Sequence, residues 1–391
     1  MINVFYSEGR DKDIDYKHLK RRDLNNHVFV DLYLNKIKFG LDEISSVEIE
    51  TRSGCNGDCG FCPMNHKIDH RLHESMDFKT FSKIIKELEN IDYRGYISYF
   101  SNNEPLLDNR IIQFIRYGRK HLPCATHSLF TNGILLNNQL FIELTNVLDR
   151  LCIDNYSDDL KLHNHIRDII EKNPNVKCDV SVFVCKKSNI LDTRAGNAPN
   201  RKDTNKYVST CILPFTQLVF KPNGSMTLCC QDAFGQSAFG NINETFSLEE
   251  IYCNINHMKI LKSLKNNGRY SSLLCRHCDL FGFTNYNMSM YFEKRLLEVS
   301  VDYLSDLWKD GTYSCFVVCE EGGYNDAFVE VLSRNIFPIR IASYGTIENA
   351  FYIFATYNDA FFDEIDPDSN KLGVNYIIMD SLYYLIKKQN G

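Results

Sequence analysis

No stretch of the 391-residue chain approaches the ~18 uncharged apolar residues that a membrane-crossing helix needs. The opening stretch MINVFYSEGRDKDIDYKHLKRR has no apolar core of the kind a secretory leader carries, so a cytoplasmic location is the expectation. A strong excess of one charge is missing too. Lysines and arginines number 44 against 50 aspartates and glutamates, a net charge of −6, which argues against a dedicated nucleic-acid binder. Internal repeats and low-complexity linkers are absent, and 44% hydrophobic with 24% charged residues excludes wholesale disorder and collagen-like repetition. The length allows two or three domains and a sizeable core.

Cysteine, by contrast, is abundant, with fifteen in all. An odd number cannot pair completely within one chain, and a reducing compartment disfavours disulfides, so metal binding, catalysis or burial must account for the thiols. Eight stand singly or in apolar runs: Cys124, Cys152, Cys178, Cys185, Cys230, Cys253, Cys315 and Cys319. Apart from Cys230, each reads as a small buried hydrophobe. The other seven form two spaced groups, Cys55, Cys59 and Cys62 in SGCNGDCGFCPMNH, and Cys211, Cys229, Cys275 and Cys278.

The first group spaces its thiols C-x3-C-x2-C in a glycine-rich loop directly after SVEIET, an alternating segment that reads as a strand. Gly54, Gly57 and Gly60 let such a loop curl until three thiolates face one centre. Three ligands leave one metal position open, the mark of a reactive centre more than of a structural one. A structural zinc ion would need a fourth ligand, which His66 can supply.

CNGDCGFC, with the aromatic Phe61 ahead of its third cysteine, resembles the cluster motif of the radical S-adenosylmethionine (radical SAM) superfamily. The resemblance implies a four-iron cluster on Cys55, Cys59 and Cys62, with S-adenosylmethionine chelating the fourth iron through its amino and carboxylate groups. It further implies reductive cleavage of that cofactor to a 5′-deoxyadenosyl radical, which abstracts a substrate hydrogen. The implied fold is a partial (β/α)6 barrel with its chemistry at the C-terminal ends of the strands.

Downstream segments alternate as βα units should. Phe78, Phe81, Ile84, Ile85, Leu88 and Ile91 keep a helical period behind the possible caps Ser75 and Asp77. GYISYFSNNEPL reads as a strand and polar turn, a helix carries Ile111, Ile112, Phe114 and Ile115, and further strands lie in ATHSLFTNG, 148–157 and 175–184. Asn102, Asn103 and Glu104, ahead of Pro105, occupy the place of the family's glycine-rich turn and are the implied acceptors for the methionyl ammonium. Asp154 and Asn155 are candidates for the ribose hydroxyls, and Arg194 for the methionyl carboxylate through its planar fork. Thr131, Asn132 and Gly133 resemble a turn common in these enzymes.

TCILPFTQLVFKPNGSMTLCCQD reads as a β-hairpin, and Cys275 and Cys278 follow a helix marked by Leu248, Ile251, Ile255, Met258, Leu261 and Leu264. Two hairpin cysteines and two from the C-x2-C knuckle can close a tetrahedral site, for a four-iron cluster or for zinc. Order and spacing resemble the auxiliary-cluster extension of SPASM and twitch proteins in the same superfamily. The full SPASM pattern continues with further cysteines and DLFGFTNYNM has none, so the resemblance is to the one-cluster twitch form. It favours Cys229 over Cys230 as ligand and leaves Cys230 as a candidate hydrogen donor.

Residues 1–45 are read as an N-terminal extension, 46–205 as the radical SAM core, and 206–283 as the SPASM/twitch-like auxiliary cluster domain, a β-hairpin plus helix. Residues 284–391 are read as a helical bridge, spanning about 281–308, and a small C-terminal α/β unit. There SCFVVCEEGG, YNDAFVEVLSRN and FPIRIAS suggest strand, glycine turn, helix and strand. Gly322 and Gly323 do not complete a dinucleotide fingerprint, so a docking, dimer or scaffold role is expected.

The expectation is a radical SAM enzyme with one auxiliary cluster, acting on a polar biosynthetic substrate. The twitch-like spacing favours oxidation of a sugar or cyclitol alcohol, with the auxiliary cluster as electron acceptor. Peptide epimerisation or cross-linking is the alternative, and a non-enzymatic iron–sulfur or zinc protein the alternative of another class. The implied partners are a small-molecule or peptide substrate and an electron donor such as flavodoxin or ferredoxin, with neither nucleic acid nor membrane, and the oligomeric state is open.

Overall fold

A computed structural model describes residues 2–7, 30, 34–35, 37–201, 211–280, 290–335, 339–356, 359–366 and 371–379. It divides the chain into two units, Met1–Lys12 with Lys38–Gly282, and Asp13–Ile37 with Phe283–Gly391. Among the described residues no helix is long and apolar enough to cross a membrane.

The first unit is built from β1 (Ile2–Ser7), β2 (Ser46–Ile49), α1 (Phe78–Asn90), β3 (Tyr96–Ser98), α2 (Ile111–His121), β4 (Thr126–Thr131), α3 (Asn138–Val147), β5 (Arg150–Tyr156), α4 (Asn164–Lys172) and β6 (Asp179–Cys185). It continues through β7 (Gln217–Phe220), β8 (Ser225–Thr227), β9 (Gly240–Asn241), α5 (Leu248–Tyr252) and α6 (Ile255–Asn267). The sheet order is β1-β6-β5-β4-β3-β2-β7-β8-β9. Pairing is parallel from β1 through β7, and β7, β8 and β9 turn antiparallel. From β2 to β6 every connection carries a helix, the α/β alternation that the sequence implies.

Local chemistry explains the elements. Asp77 caps α1 by accepting from Thr80 N–H at 2.6 Å, and Phe81, Ile84, Ile85 and Leu88 form its buried face. Phe81 meets Phe114 of α2 with ring centroids 4.4 Å apart. Each such burial contributes roughly 1.5–3 kcal/mol. Strand β7 is buried along its whole length because it pairs directly with β2, Glu48 opposite Val219. The hairpin leading to Cys229 therefore grows out of the core sheet, which runs unbroken across the 205/206 boundary. The opening residues also join it, β1 pairing with β6 from Ile2 opposite Val180 to Ser7 opposite Cys185.

The second unit carries a four-stranded parallel sheet, β11-β10-β12-β13, from β10 (Cys315–Cys319), β11 (Ile339–Ala342), β12 (Ala350–Phe354) and β13 (Tyr376–Ile378). Helices α7 (Met290–Lys309), α8 (Asp326–Asn335) and α9 (Asp359–Ile365) belong to it, and the start of the expected helical bridge, 281–289, lies outside the described residues. Strand, glycine turn, helix and strand appear in the expected order, and Cys315 and Cys319 are core residues with Val317, Phe354 and Tyr376. At Gly322 a Cβ would sit 2.9 Å from the Ala355 nitrogen, so only glycine lets this turn lie against β12.

Candidate active site

The three-cysteine loop leaves the C-terminal end of β2 and is tied down on all sides. Gly54 has φ +92°, and a Cβ there would run into the His73 ring. The Gly57 amide donates to Cys55 Sγ at 3.2 Å, the Asn65 amide group donates to Cys59 O at 3.1 Å, and Gly60 N–H donates to Lys187 O at 2.9 Å. Asp58 is held by Lys187 and Lys67, each at 2.7 Å, which keeps its carboxyl well below the usual range. His66 is exposed and donates from Nδ1 to Gly57 O at 2.9 Å, tightening the loop. It is not among the residues around the thiols.

Cys55, Cys59 and Cys62 line one cavity of about 130 Å³. Burial pushes the Cys55 thiol up to about 11 and raises Cys59 and Cys62 as well. Thiols raised in this way become thiolates when a metal centre neutralises them. Among the described residues no group of three His, Cys, Asp or Glu side chains is drawn together tightly enough to hold a single metal ion.

The other wall of the cavity comes from strand ends: Asn102, Asn103 and Glu104 after β3, Asn132 after β4, Asp154 and Tyr156 on β5, and Arg194 beyond β6. Glu104 N–H donates to Gly54 O at 2.9 Å, joining this turn to the cysteine loop. Its buried carboxylate accepts from Thr131 Oγ1 (2.7 Å), Asn132 N–H (2.8 Å) and Leu106 N–H (3.0 Å). Burial raises its pKa despite those donors. Asn103 Nδ2 is buried and meets no partner, a donor left open beside the cavity. Burial, with the Glu104 charge adding to it, pushes Asp154 up to about 7 against the opposing Tyr156 hydroxyl, 3.4 Å away.

Asn155 does not reach the cavity. Successive side chains on a strand point to opposite faces, so Asp154 and Tyr156 face inward while Asn155 shares the outer face with Ile153. It is fully buried there, donating to Lys161 O at 3.0 Å and accepting from His163 N–H at 2.9 Å. Its assignment to the ribose is corrected accordingly. Asn132, read from sequence only as a turn residue, reaches Asn56 Oδ1 at 2.8 Å and Cys55 Sγ at 3.6 Å.

Arg194 is held in an unusual backbone. It has φ +47°, followed by Ala195 at +51° and Gly196 at +85°; a non-glycine residue there costs on the order of 1 kcal/mol. Burial opposes its charge, but Asp192 and the Cys62 and Cys230 thiols outweigh it and raise its pKa, so the guanidinium stays protonated.

The second cysteine group is gathered as well. Cys211, Cys229, Cys275 and Cys278 line a second pocket with Arg269 and Gln231. Burial pushes Cys275 up to about 11 and Cys278 up to about 12. The Arg269 guanidinium donates to Cys278 O at 2.8 Å and to Leu280 O, and Gln231 Oε1 is buried without a partner. Cys230 is not part of this pocket. Its N–H donates to Gln217 Oε1 and its carbonyl accepts from Asn102 Nδ2, both at 2.8 Å, and its thiol lies in the field of Glu48 and Arg194.

Glu48 was not marked by any motif. Its Oε1 accepts from Gln217 Nε2 at 3.0 Å, and Oε2 is buried with no hydrogen-bond partner. Burial pushes the carboxyl up to about 7, opposed by Ser101, Lys221 and Arg194. The neighbouring Glu50, by contrast, is paired with Lys221 at 2.9 Å. The available signal was two glutamates at alternate positions, Glu48 and Glu50, flanking the apolar Ile49.

A three-thiol loop at the mouth of a parallel α/β sheet, with a second four-thiol pocket beside it, resembles the arrangement of radical SAM enzymes that carry a SPASM-type auxiliary cluster domain. The SPASM iron–sulfur cluster-binding domain matches residues 211–279. The chain is 24% identical over 236 residues to S-adenosyl-L-methionine-dependent 2-deoxy-scyllo-inosamine dehydrogenase of Niallia circulans, covering 60% of this chain and 92% of that protein. Its fold resembles the crystal structure of BtrN in complex with AdoMet and 2-DOIA, with a TM-score of 0.53, 24% identity, and coverage of 61% and 93% of the two chains. A more distant likeness is to anSMEcpe with bound AdoMet, with a TM-score of 0.42, 13% identity, and coverage of 68% and 95%.

Proposed function

We propose that this chain oxidises an alcohol carbon of a polar small molecule of the sugar or cyclitol kind. The observation that carries the reading is that four cysteines, Cys211, Cys229, Cys275 and Cys278, line one pocket together, while the neighbouring cavity has three. Four protein ligands leave a cluster no position for substrate, so electron transfer is the role that remains. The likeness to an aminocyclitol dehydrogenase supports the same direction.

Oxidising a carbinol removes one hydrogen atom, one proton and one electron. When bound, the cluster on Cys55, Cys59 and Cys62 with S-adenosylmethionine supplies hydrogen abstraction, and the auxiliary cluster supplies electron acceptance. The chain's residues do the rest. Glu104 spends three of its roughly four lone-pair directions on Thr131, Asn132 and Leu106, leaving one for the methionyl ammonium beside Asn102 and Asn103. Arg194 pairs with the methionyl carboxylate, and Asp154 takes ribose hydroxyls. Glu48, behind the cavity residue Ser101 and poised to ionise near neutral pH, takes the substrate proton. Electrons enter from a flavodoxin- or ferredoxin-like donor.

A second reading, redox-neutral epimerisation of a peptide, is favoured by Cys230, a thiol outside the four-cysteine pocket and bonded through its carbonyl to the cavity residue Asn102. In it Cys230 returns a hydrogen atom to the substrate, and the thiyl radical left behind takes one electron from the external donor and one proton to restore the thiol. Product mass separates the two. A loss of two daltons supports oxidation, whereas a mass unchanged in ordinary water and raised by one dalton in deuterium oxide overturns it in favour of epimerisation.

A further inference from the structure

The loop that carries Arg194 is fastened to the knuckle that carries Cys275 and Cys278. Thr193 is fully buried and donates from Oγ1 to His277 O at 2.7 Å. Its own N–H donates to Asp279 Oδ1 at 2.7 Å, and Asp279 N–H donates back to Thr193 Oγ1 at 3.2 Å. Arg201, further along the loop, pairs with Asp279 Oδ2 at 2.6 Å. A Cβ on Gly196 would stand 3.0 Å from His277 Cβ, so the loop lies flat on the knuckle. These contacts bracket the left-handed run at 194–196, which three successive residues would not hold unaided.

We propose that Thr193 and Asp279 are positioning residues that hold Arg194 in the three-cysteine cavity, so that the knuckle of the auxiliary site sets the geometry of the S-adenosylmethionine site. The two hydrogen bonds between Thr193 and Asp279 join residues that adjoin both sites. Thr193 precedes Arg194 directly, and Asp279 follows Cys278 directly. A shift of the knuckle is therefore transmitted to the guanidinium within two residues on either side, and a planar fork tolerates little misplacement. The inference rests on the assignment of Arg194 to the methionyl carboxylate.

The test is the dissociation constant of S-adenosylmethionine, measured by equilibrium dialysis on anaerobically reconstituted protein, with iron counted in the same samples. Thr193→Val and Asp279→Asn should each weaken binding roughly tenfold with about eight irons per chain retained, and Thr193→Ser should restore it. In an Arg194→Gln background neither change should weaken binding further, because the side chain they position is gone. Losses that add to that of Arg194→Gln, or an unmoved constant in Thr193→Val, overturn the proposal. If Asp279→Asn sheds irons, Thr193→Val, which lies far in sequence from the ligands, decides. An unmoved constant in Arg194→Gln itself overturns the reading of Arg194 and the proposal with it.

Discussion

Replacing Glu48 by glutamine should make the protein more stable and less active, and the gain should depend on pH in a way that only a buried carboxyl explains. In the folded chain the group sits at about 7, against 4.5 ordinarily. Below about pH 4.5 both folded and unfolded chains hold the proton and Glu48 carries no ionisation penalty. Between 4.5 and 7 the unfolded chain releases its proton while the folded chain keeps it, so stability drains as pH rises. Above 7 the penalty is fully developed. A gap of that size, at about 1.4 kcal/mol per decade, amounts to roughly 3 kcal/mol. Glutamine keeps the shape and the contact to Gln217 but never ionises, so Glu48→Gln should gain about 3 kcal/mol at pH 8 and little near pH 5. Urea unfolding of the reconstituted protein at both pH values, followed by circular dichroism, measures the difference. The only tryptophan, Trp308, lies in the other unit, so its fluorescence is the wrong probe. An equal gain at both pH values, or a loss at pH 8, refutes the reasoning. Substrate turnover of the parent should rise along a limb centred near pH 7, which the variant lacks.

Two further outcomes follow from placement. Cys229→Ala should drop the iron content from about eight to about four per chain, whereas Cys230→Ala should leave it at about eight, as metal analysis of the two purified variants will show. Asn155→Ala should leave S-adenosylmethionine affinity unchanged while costing about 1–3 kcal/mol of stability, because Lys161 O and His163 N–H lose their partner. A tenfold loss of affinity there would return Asn155 to the site.

Much of the chemistry was legible in the chain because it is local. The C-x3-C-x2-C loop, the knuckle at Cys275 and Cys278, the Asp77 cap and the alternating strands all declare themselves within a few residues. What escaped depends on distance or on facing. The choice between Asp154 and Asn155 turns on which face of β5 points inward, and only the packing of Ile153 toward Ile166 and Gly133 fixes that. Glu48 acquires meaning from Gln217, Arg194 and Cys230, all more than 140 residues away in sequence. The clasp of Thr193 on Asp279 joins positions 86 apart, and β7 pairs with β2 across most of the unit. Motifs record ligands; the polar groups that position them are set by the sheet.

Anaerobic reconstitution, with iron counted and 5′-deoxyadenosine measured after adding reductant and S-adenosylmethionine, tests the central claim most directly. About eight irons per chain with reductant-dependent 5′-deoxyadenosine, abolished when Cys55, Cys59 and Cys62 are replaced by alanine, is the predicted result. Zinc in place of iron, or cofactor cleavage that survives loss of those three thiols, would contradict it.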